Sequence, residues 1–322
     1  MKKICCIIQF LAVLFLYPAL RSDAQATTPD TVRTGIYIIS IHDIDFKQKE
    51  FTTTFWLWLK YKNKDLDFAQ NLEMPMAKSS TRSFLTVDSS NNKIYMLMKL
   101  QCVIKDSWRI GNFPFDKQAL RFTIENSQFD SHSCIFIPDT LGKHYDPRFT
   151  LSGWQIDSCI LATGIKPYET AFGDETMPRP HTEYSSFRVR LVITRSASGI
   201  FWKMFIGMYI AFLIAYVCFY IHPDGIDSRF GLSVGSLFAV IGNKYIIDSS
   251  LPESTSFTLV DTLHGVTLFF IFMIITATAY SLSLVKIKGI KTAMRFDMII
   301  AQVILVLYVA LNIYFILSAQ PG

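Results

Sequence analysis

The distribution of apolar residues divides the chain into two unlike halves. Long apolar runs lie in the second half, at 200–221, 230–247, 263–285 and 296–317. A helix rises about 1.5 Å per residue and a bilayer core is about 30 Å thick, so a run of about 20 residues can cross it. The pattern therefore predicts four transmembrane helices in a transmembrane domain that spans 197–322.

The N-terminus has the layout of a signal peptide. Lys2 and Lys3 precede a short apolar run that ends near Tyr17, and small residues follow up to Ala26. Such a run is too short to span a bilayer comfortably, and its flanks are typical of a secretory signal. We therefore expect a signal peptide at 1–26.

Basic residues between the third and fourth apolar runs set the expected orientation. Lys286, Lys288, Lys291 and Arg295 cluster there without an acidic residue among them. The positive-inside rule places such a cluster in the cytoplasm. Counting the spans back from this cytoplasmic loop places the domain at 27–196 in the periplasm or outside the cell. We therefore expect a multi-pass protein of a bacterial inner (plasma) membrane.

The segment 27–196 carries short alternating patterns that indicate β-strands. The alternation of apolar and polar residues is cleanest from Phe187 to Ile193. The candidate strands are 35–41, 51–61, 93–104, 119–125, 134–137, 154–164 and 183–195. Many short strands separated by Asp, Asn, Gly and Pro favour a sandwich. The predicted fold class is an N-terminal all-β immunoglobulin-like sandwich followed by an all-α four-helix transmembrane bundle.

Composition and missing motifs argue against several classes of protein. The chain has 31 basic and 26 acidic residues, and its formal charge of +5 is too small for a nucleic-acid binder driven by bulk charge. It contains no Gly-rich phosphate loop, His-Glu-x-x-His or Gly-x-Ser-x-Gly motif, so we expect no enzyme, and neither a cofactor nor a metal site. Cys102, Cys134 and Cys159 remain in the exported domain, and their pairing is open.

Two turn motifs in this architecture resemble a known family. Phe-Pro-Phe-Asp occupies 113–116, and Leu-Pro-Glu-Ser at 251–254 leads from span two towards span three. With the segments 55–61 and 152–156 and with Arg195, they resemble the pentameric ligand-gated ion channels, the superfamily of the Cys-loop receptors. The resemblance implies a homopentamer in a lipid bilayer, a small-molecule or proton agonist, and permeant monovalent cations.

The sequence departs from the family pattern at three places. Asp106 and Leu120 stand where Cys-loop receptors have their two half-cystines, as in the bacterial branch without that disulfide. Gly207 stands where the first span usually has a proline. Glu73-Met74-Pro75 replaces the usual Trp-x-Pro after the second strand.

One face of the second span is a candidate pore lining. At about 100° per residue, its small and aromatic residues fall within about 40° of one line. They are Gly231, Gly235, Phe238, Gly242, Tyr245 and Ser249. The alternative is a small-residue seam for helix packing. The resemblance implies the pore, in which rings of Phe238 and Tyr245 close the channel by excluding water.

Asp227 is the candidate selectivity residue. The resemblance places it near the acidic ring of the cation-selective members, where five carboxylates concentrate cations. The alternative is that Asp227 only caps the second helix.

The resemblance also implies residues that couple the sandwich to the pore. They are Pro114, Phe115, Asp116, Arg195 and Pro252, and Asp116 is expected to pair with Arg195. The alternative is that 113–116 forms only a rigid turn around a buried aromatic residue.

Candidate ligand contacts are aromatic residues, because the family gathers aromatic side chains at the subunit interface. Trp56, Phe129 and Tyr184 are the candidates here, and a cation can rest on such rings. The alternative is that they belong to the sandwich core. The sequence thus predicts a ligand-gated channel, proton-gated in one version and cation-selective, and the alternative is a non-conducting membrane-anchored sensor or binding protein on the same fold.

Overall fold

The computed structural model describes residues 28–90, 92–173, 175, 180–253 and 255–320, and the predicted signal peptide at 1–26 lies outside them. Within these residues the first part of the chain is a succession of strands. Their bounds are β1 (Asp30–Asp45), β2 (Glu50–Tyr61), β3 (Leu72–Glu73), β4 (Ala77–Ser90), β5 (Lys93–Lys105), β6 (Lys117–Asn126), β7 (Cys134–Pro138), β8 (Trp154–Tyr168) and β9 (Thr182–Arg195). Every strand range predicted from the sequence overlaps one of them.

The strands form two sheets that pack face to face. One sheet has the order β4-β5-β2-β1-β7, in which β7 runs parallel to β1, and the other has the order β3-β6-β9-β8. Strand β9 shows why they pack: Phe187, Val189, Leu191 and Ile193 are buried in the shared core, whereas the residues between them face outward. This is the period of two that a half-buried strand requires.

Besides the two-residue strand β3, two elements escaped the sequence prediction. Strand β4 pairs with β5 from Ala77 to Ser90, yet its residues are mostly exposed and polar, so they show no apolar alternation. The pairing of its backbone with β5, which a hydrophobic pattern does not report, holds it in place. The second element is the single-turn helix α1 (Phe68–Asn71), in which Asp67 accepts a hydrogen bond from the backbone of Ala69.

Four long helices follow the sandwich. They are α2 (Ala197–Val217, extended by a 3-10 turn at Cys218–Tyr220), α3 (Ile226–Ser250), α4 (Leu259–Lys288) and α5 (Ile290–Ala319). All four are long and apolar enough to cross a membrane. Each is longer at one or both ends than the apolar run that predicted it, because polar residues such as Asp227 and Lys286 continue the terminal helical turns.

Helix α4 shows how local sequence sets the helix ends. Thr258 and Asp261 form a reciprocal capping box, in which each side chain accepts a hydrogen bond from the backbone of the other. Lys286 and Lys288 lie in its last turn, where cations oppose the negative end of the helix dipole. Gly289 separates α4 from α5 with a φ of 81°, a conformation that favours glycine. The predicted fold class is confirmed.

Candidate functional site

Helix α3 packs against the other helices through one face only. Its buried residues are Arg229, Ser233, Ser236, Val240 and Ile247. At about 100° per residue these five positions gather within about 30° of one line, and the predicted pore residues gather around a line almost opposite. We call the second set, Gly231, Gly235, Phe238, Gly242, Tyr245 and Ser249, the outward face.

The outward face is open. Phe238 is 66% exposed and Tyr245 is 76% exposed. Among the described residues, no atom beyond the helix itself lies within 4 Å of the place where a Cβ would stand at Gly231, Gly235 or Gly242. These glycines therefore form no packing seam with another described helix of the same chain.

Asp227 lies in the first turn of α3, exposed to solvent. Its position falls within about 40° of the centre of the outward face, by the same helical geometry. The N-cap of α3 is Gly225, and no side chain forms a capping hydrogen bond there. Asp227 is thus not the cap residue that the alternative interpretation expected, although its charge is favourable near a helix N-terminus.

Arg229, two residues further on, points the opposite way. Its guanidinium is fully buried, pairs with Asp297 of α5 at 2.7 Å and donates from Nε to the carbonyl of Cys218 at 2.9 Å. This pair ties the beginning of α3 to its neighbours. It also takes the positive charge of Arg229 away from the outward face.

Gly207 in α2 occupies the place of the usual proline, and the structure shows what its small size permits. A Cβ at Gly207 would stand 2.9 Å from Oδ1 of Asn243 in α3. The Asn243 amide donates to the carbonyl of Met204 at 3.1 Å and contacts Nε2 of His264 at 3.0 Å. Gly207 therefore leaves room for a polar contact that joins α2, α3 and α4.

Arg195, the last residue of β9, lies in an aromatic enclosure at the junction with the helices. Its Nε and Nη2 donate to the two carboxylate oxygens of Asp116 at 2.6 and 3.2 Å. Its guanidinium lies 4.0 to 4.8 Å from the ring centroids of Trp154, Phe46 and Phe113. Bidentate pairing and cation–π contacts together hold this arginine in one orientation.

The segment around 113–116 contacts the helices directly. Phe113 is buried in the apolar cluster of the helices, and the ring of Phe115 lies 5.5 Å from that of Phe201 in α2. The backbone of Leu259, at the start of α4, donates to the carbonyl of Gly111 at 2.8 Å. Pro114 and Pro252 are both buried. The turn encloses a buried aromatic residue, as the alternative interpretation expected, and it also contacts α2 and α4.

A cavity of about 480 Å³ lies beside this bridge. Its walls are the end of β1 with the adjoining Phe46, the side chains of Phe113 and Arg195, and Ser250 and Leu251 at the end of α3. The end of α3 is thus separated from the β1–β2 turn by open space rather than by a packed core.

The three candidate ligand residues lie in different surroundings. Tyr184 belongs to a cluster of three aromatic rings with Tyr168 and Phe172, at centroid distances of 5.6 to 6.2 Å. Trp56 lies on the other sheet, where its ring contacts that of Phe84 at 5.4 Å. Phe129 packs against the sandwich core. Within one chain, the structure does not bring the three together.

A buried carboxylate lies next to the aromatic cluster. Glu125 lines the same cavity of about 390 Å³ as Tyr168, Phe172 and Tyr184. Burial raises the pKa of this carboxyl, although the Tyr168 hydroxyl, which donates to it at 2.8 Å, favours the charged form. The ammonium of Lys166 lies 3.7 Å from Glu125 and 4.7 Å from the centroid of Tyr168. A cation of the chain itself thus already rests on this aromatic face.

Three residues beside Tyr184 were not predicted as site residues, namely Glu125, Tyr168 and Phe172. Phe46 was not predicted as a partner of Arg195 either. Tyr168 ends β8 and Phe172 lies in the connection that leads back to Tyr184, so aromatic residues at this connection are a signal that the sequence offers. Phe46 lies in a polar turn and gives none, because only the tertiary fold brings it to Arg195.

The three cysteines of the exported domain do not form a disulfide with one another. Cys102, Cys134 and Cys159 are all free thiols. Burial raises the pKa of Cys134 to about 12 and that of Cys159 to about 11, so neither forms the reactive thiolate near neutral pH. Among the described residues, no group of three or more His, Cys, Asp or Glu side chains is placed to hold a metal ion.

Comparison with known proteins returns ion channels and receptors. No protein-family model matches the chain. A proton-gated ion channel of Gloeobacter violaceus is 22% identical over 255 residues, which are 72% of this chain and 67% of that protein. A gamma-aminobutyric acid receptor subunit beta of Caenorhabditis elegans is 20% identical over 74% of this chain and 45% of its own length. A glutamate-gated chloride channel of Drosophila melanogaster is 21% identical over 56% of this chain and 38% of its own length.

A β-sandwich followed by four membrane-spanning helices, with a buried Arg–Asp pair of the sandwich at the junction, defines a class of membrane receptor. It is a multi-pass membrane protein whose N-terminal domain lies outside the cell. Together with these relatives, the architecture confirms the resemblance to the pentameric ligand-gated ion channels that was seen in the sequence.

Proposed function

We propose that five copies of this chain form a ligand-gated ion channel, in which the domain at 27–196 controls a pore within the domain at 197–322. The observation that carries the proposal is the orientation of α3. Its buried face binds the other helices of its own chain, while the open face carries aromatic and small residues on an otherwise apolar helix. In a closed ring of five chains, the open faces of the five α3 helices all point towards one central axis and line a pore there.

Phe238 and Tyr245 are the proposed constrictions. In a ring of five, each becomes a belt of five aromatic side chains, and an apolar belt closes a pore by expelling water. The glycines at 231, 235 and 242 leave wider steps between the belts. A single substitution at Phe238 therefore alters conduction without touching the helix contacts.

We propose that the pore selects monovalent cations. Asp227 adds an exposed carboxylate near the line of the outward face, whereas Arg229 is buried and paired with Asp297. Lys244, the other basic residue of α3, pairs with Asp248 and Asp261. The net charge presented to the axis is therefore negative. The names of the relatives include a proton-gated channel and a chloride channel, so only the residues of this chain support the proposed cation selectivity.

We propose that the agonist site includes the cavity beside Tyr184. Three aromatic rings and the Glu125 carboxylate suit a small organic cation, and protonation of Glu125 is a second way to change the charge there. Trp56 and Phe129 extend the site when a neighbouring chain brings its own sheet to this surface. A cationic agonist competes with Lys166 for the face of Tyr168.

Arg195 and Asp116 are the proposed coupling pair. The pair lies on the sandwich side of the junction. The other proposed coupling residues lie against or between the helices, and they are Phe115, Pro114 and Pro252. Movement of β9 therefore reaches α2 directly, since one residue separates Arg195 from the start of α2.

The test is voltage-clamp recording of the purified protein in planar bilayers, with steps of outer pH and of small organic cations. Unitary currents that change in Phe238→Ala support the pore. Under a NaCl gradient, we expect the wild-type reversal potential to lie near the Na⁺ equilibrium value, and Asp227→Asn to move it towards zero. Asp224→Asn, which removes the same charge from the loop before α3, is the matched control.

Silence of both the wild type and Phe238→Ala, from protein shown to be pentameric, would contradict conduction and favour the sensor. A reversal potential near the chloride value would contradict cation selectivity but leave the channel intact.

A further inference from the structure

A wide groove crosses the exposed surface of the sandwich, away from the aromatic cavity at Tyr184. It encloses about 800 Å³, and a smaller hollow of about 270 Å³ adjoins it through Ser107, Arg121 and Arg190. The floor is formed by strands β6, β8 and β9. A volume of this size falls within the range of pockets that bury small organic ligands, about 300 to 1,000 Å³.

Basic side chains line this groove. Arg121, Arg188 and Arg190 stand on the two adjacent strands β6 and β9, and Lys49 and Lys105 add two charges at the rim. The described lining has one acidic side chain, Asp106, which is already bound to Arg121 at 2.6 Å. Lys105 is likewise paired, with Glu50 just outside the lining at 2.7 Å. The charges of Lys49, Arg188 and Arg190 therefore leave the groove with a net positive charge.

The sheet register places two of these arginines against each other. Arg121 lies directly opposite Arg190 in the antiparallel pair of β6 and β9. Like charges at such positions destabilise a sheet, since their Cβ atoms stand about 5 Å apart. Nothing in the core requires this arrangement, because both side chains face outward.

The three arginines differ in how they are held. Arg188 is fixed: Nε donates to Ser186, Nη2 donates to the carbonyl of Ile165, and the guanidinium lies over Gly164, where a Cβ would stand 3.1 Å from Cζ. The guanidinium of Arg190, by contrast, has no hydrogen-bond or ion-pair partner among the described residues, although its backbone pairs with both neighbouring strands. One preorganised guanidinium and one free guanidinium thus face the same space.

The groove also has an apolar side. Met76, Ile160 and Ala162 line it next to the arginines, and Ile160 is 46% exposed. A ligand that fits both parts needs an apolar body to cover these side chains and an anionic group for the guanidinium pair. Arginine is well suited to a carboxylate or phosphate, because its planar fork donates two parallel hydrogen bonds.

We propose that this groove binds a small organic anion, with a carboxylate or phosphate held by Arg188 and Arg190 and an apolar body resting on Ile160 and Ala162. The site shares no lining residue with the aromatic cavity at Tyr184. It therefore does not depend on the identity of the agonist or on conduction, and it is tested by binding alone.

The test uses 2-naphthoate as the probe and 2-naphthamide as its uncharged counterpart. Each is titrated by isothermal calorimetry into the full chain in nanodiscs of neutral phosphatidylcholine. We expect 2-naphthoate to bind and 2-naphthamide to bind at least tenfold more weakly. Arg190→Gln should weaken 2-naphthoate binding about tenfold, whereas Lys64→Gln, which removes an exposed charge from a distant loop, should leave it unchanged.

A second measurement shows that a loss of binding does not come from misfolding. Since Arg190→Gln removes a like-charge pair, the unliganded variant should unfold at a temperature equal to or above that of the wild type, and only the increase produced by 2-naphthoate should be lost. Equal binding of 2-naphthoate and 2-naphthamide, equal affinity of the wild type and Arg190→Gln, or no binding of 2-naphthoate to the wild type would each overturn the proposal.

Discussion

Two buried Arg–Asp pairs stand at opposite ends of the helical bundle and differ in how completely they are enclosed. Arg195 and Asp116, at the junction with the sandwich, form two hydrogen bonds, and three aromatic rings surround the guanidinium. Arg229 and Asp297, at the other end, form one, and Nη1 of the arginine and Oδ1 of the aspartate have no partner among the described residues.

The difference in enclosure indicates that the two Arg–Asp pairs have different roles. The pair at the junction belongs to the sandwich and lies beside an open cavity that also contacts the end of α3. The pair inside the bundle ties α3 to α5, and both of its side chains are almost completely buried. Removing one partner of a buried pair leaves an uncompensated charge, and the penalty rises with the depth of burial.

The largest expected effect is at the inner pair. Asp297→Asn leaves Arg229 charged and unpaired, and we expect a loss of about 3 to 5 kcal/mol in the free energy of unfolding. Thermal unfolding followed by tryptophan fluorescence in a neutral detergent measures it. The double variant Arg229→Met with Asp297→Leu should recover most of the loss. A single variant as stable as the wild type would show that the pair does not hold α3.

The next effect is at the junction pair, where we expect altered gating rather than unfolding. Asp116→Asn weakens two charge-assisted hydrogen bonds, and the agonist concentration for half-maximal current should rise about tenfold while unitary conductance stays unchanged. Arg195→Lys tests the same bond from the other side, because lysine keeps the charge but loses the fork. A change of conductance without a shift in agonist response would place the pair in the pore instead.

A smaller effect is expected where α2 meets α3. Gly207→Ala places a Cβ 2.9 Å from Oδ1 of Asn243, and overpacking of this kind costs about 1 to 3 kcal/mol. Asn243→Ala removes the contact atom, so the double variant should lose less than the sum of the two single variants. Strict additivity, measured by thermal unfolding, would show that the two residues do not share the space.

The smallest effect is a pH dependence of stability from Glu125. Burial raises the pKa of this carboxyl in the folded chain above 4.5, so folding favours its protonated form. Its stabilising contribution is therefore full below about pH 4.5 and is lost as pH rises through the folded pKa. Thermal unfolding between pH 4 and 8 should show this fall, and Glu125→Gln should flatten it. An unchanged profile in the variant would assign the dependence to another group.

The parts of the molecule that follow from local pattern were predictable. Hydrophobic run length gave the four membrane-spanning helices, alternation gave most strands, and the 3.6-residue period picked out the outward face around Phe238. The rest depends on contacts between distant segments. Strand β4 is held by backbone pairing, Phe46 reaches Arg195 only in the folded chain, and the opposition of Arg121 to Arg190 appears only in the sheet register.

The central claim is that the outward face of α3 lines a pore, and thiol accessibility tests it most directly. Phe238→Cys and Ala239→Cys are compared in planar bilayers during exposure to a charged, membrane-impermeant methanethiosulfonate. The two positions are neighbours and both exposed, yet they point about 100° apart. The account predicts that the reagent blocks current through Phe238→Cys and leaves current through Ala239→Cys and the wild type unchanged. Equal block of the two variants, or block of Ala239→Cys alone, would contradict it.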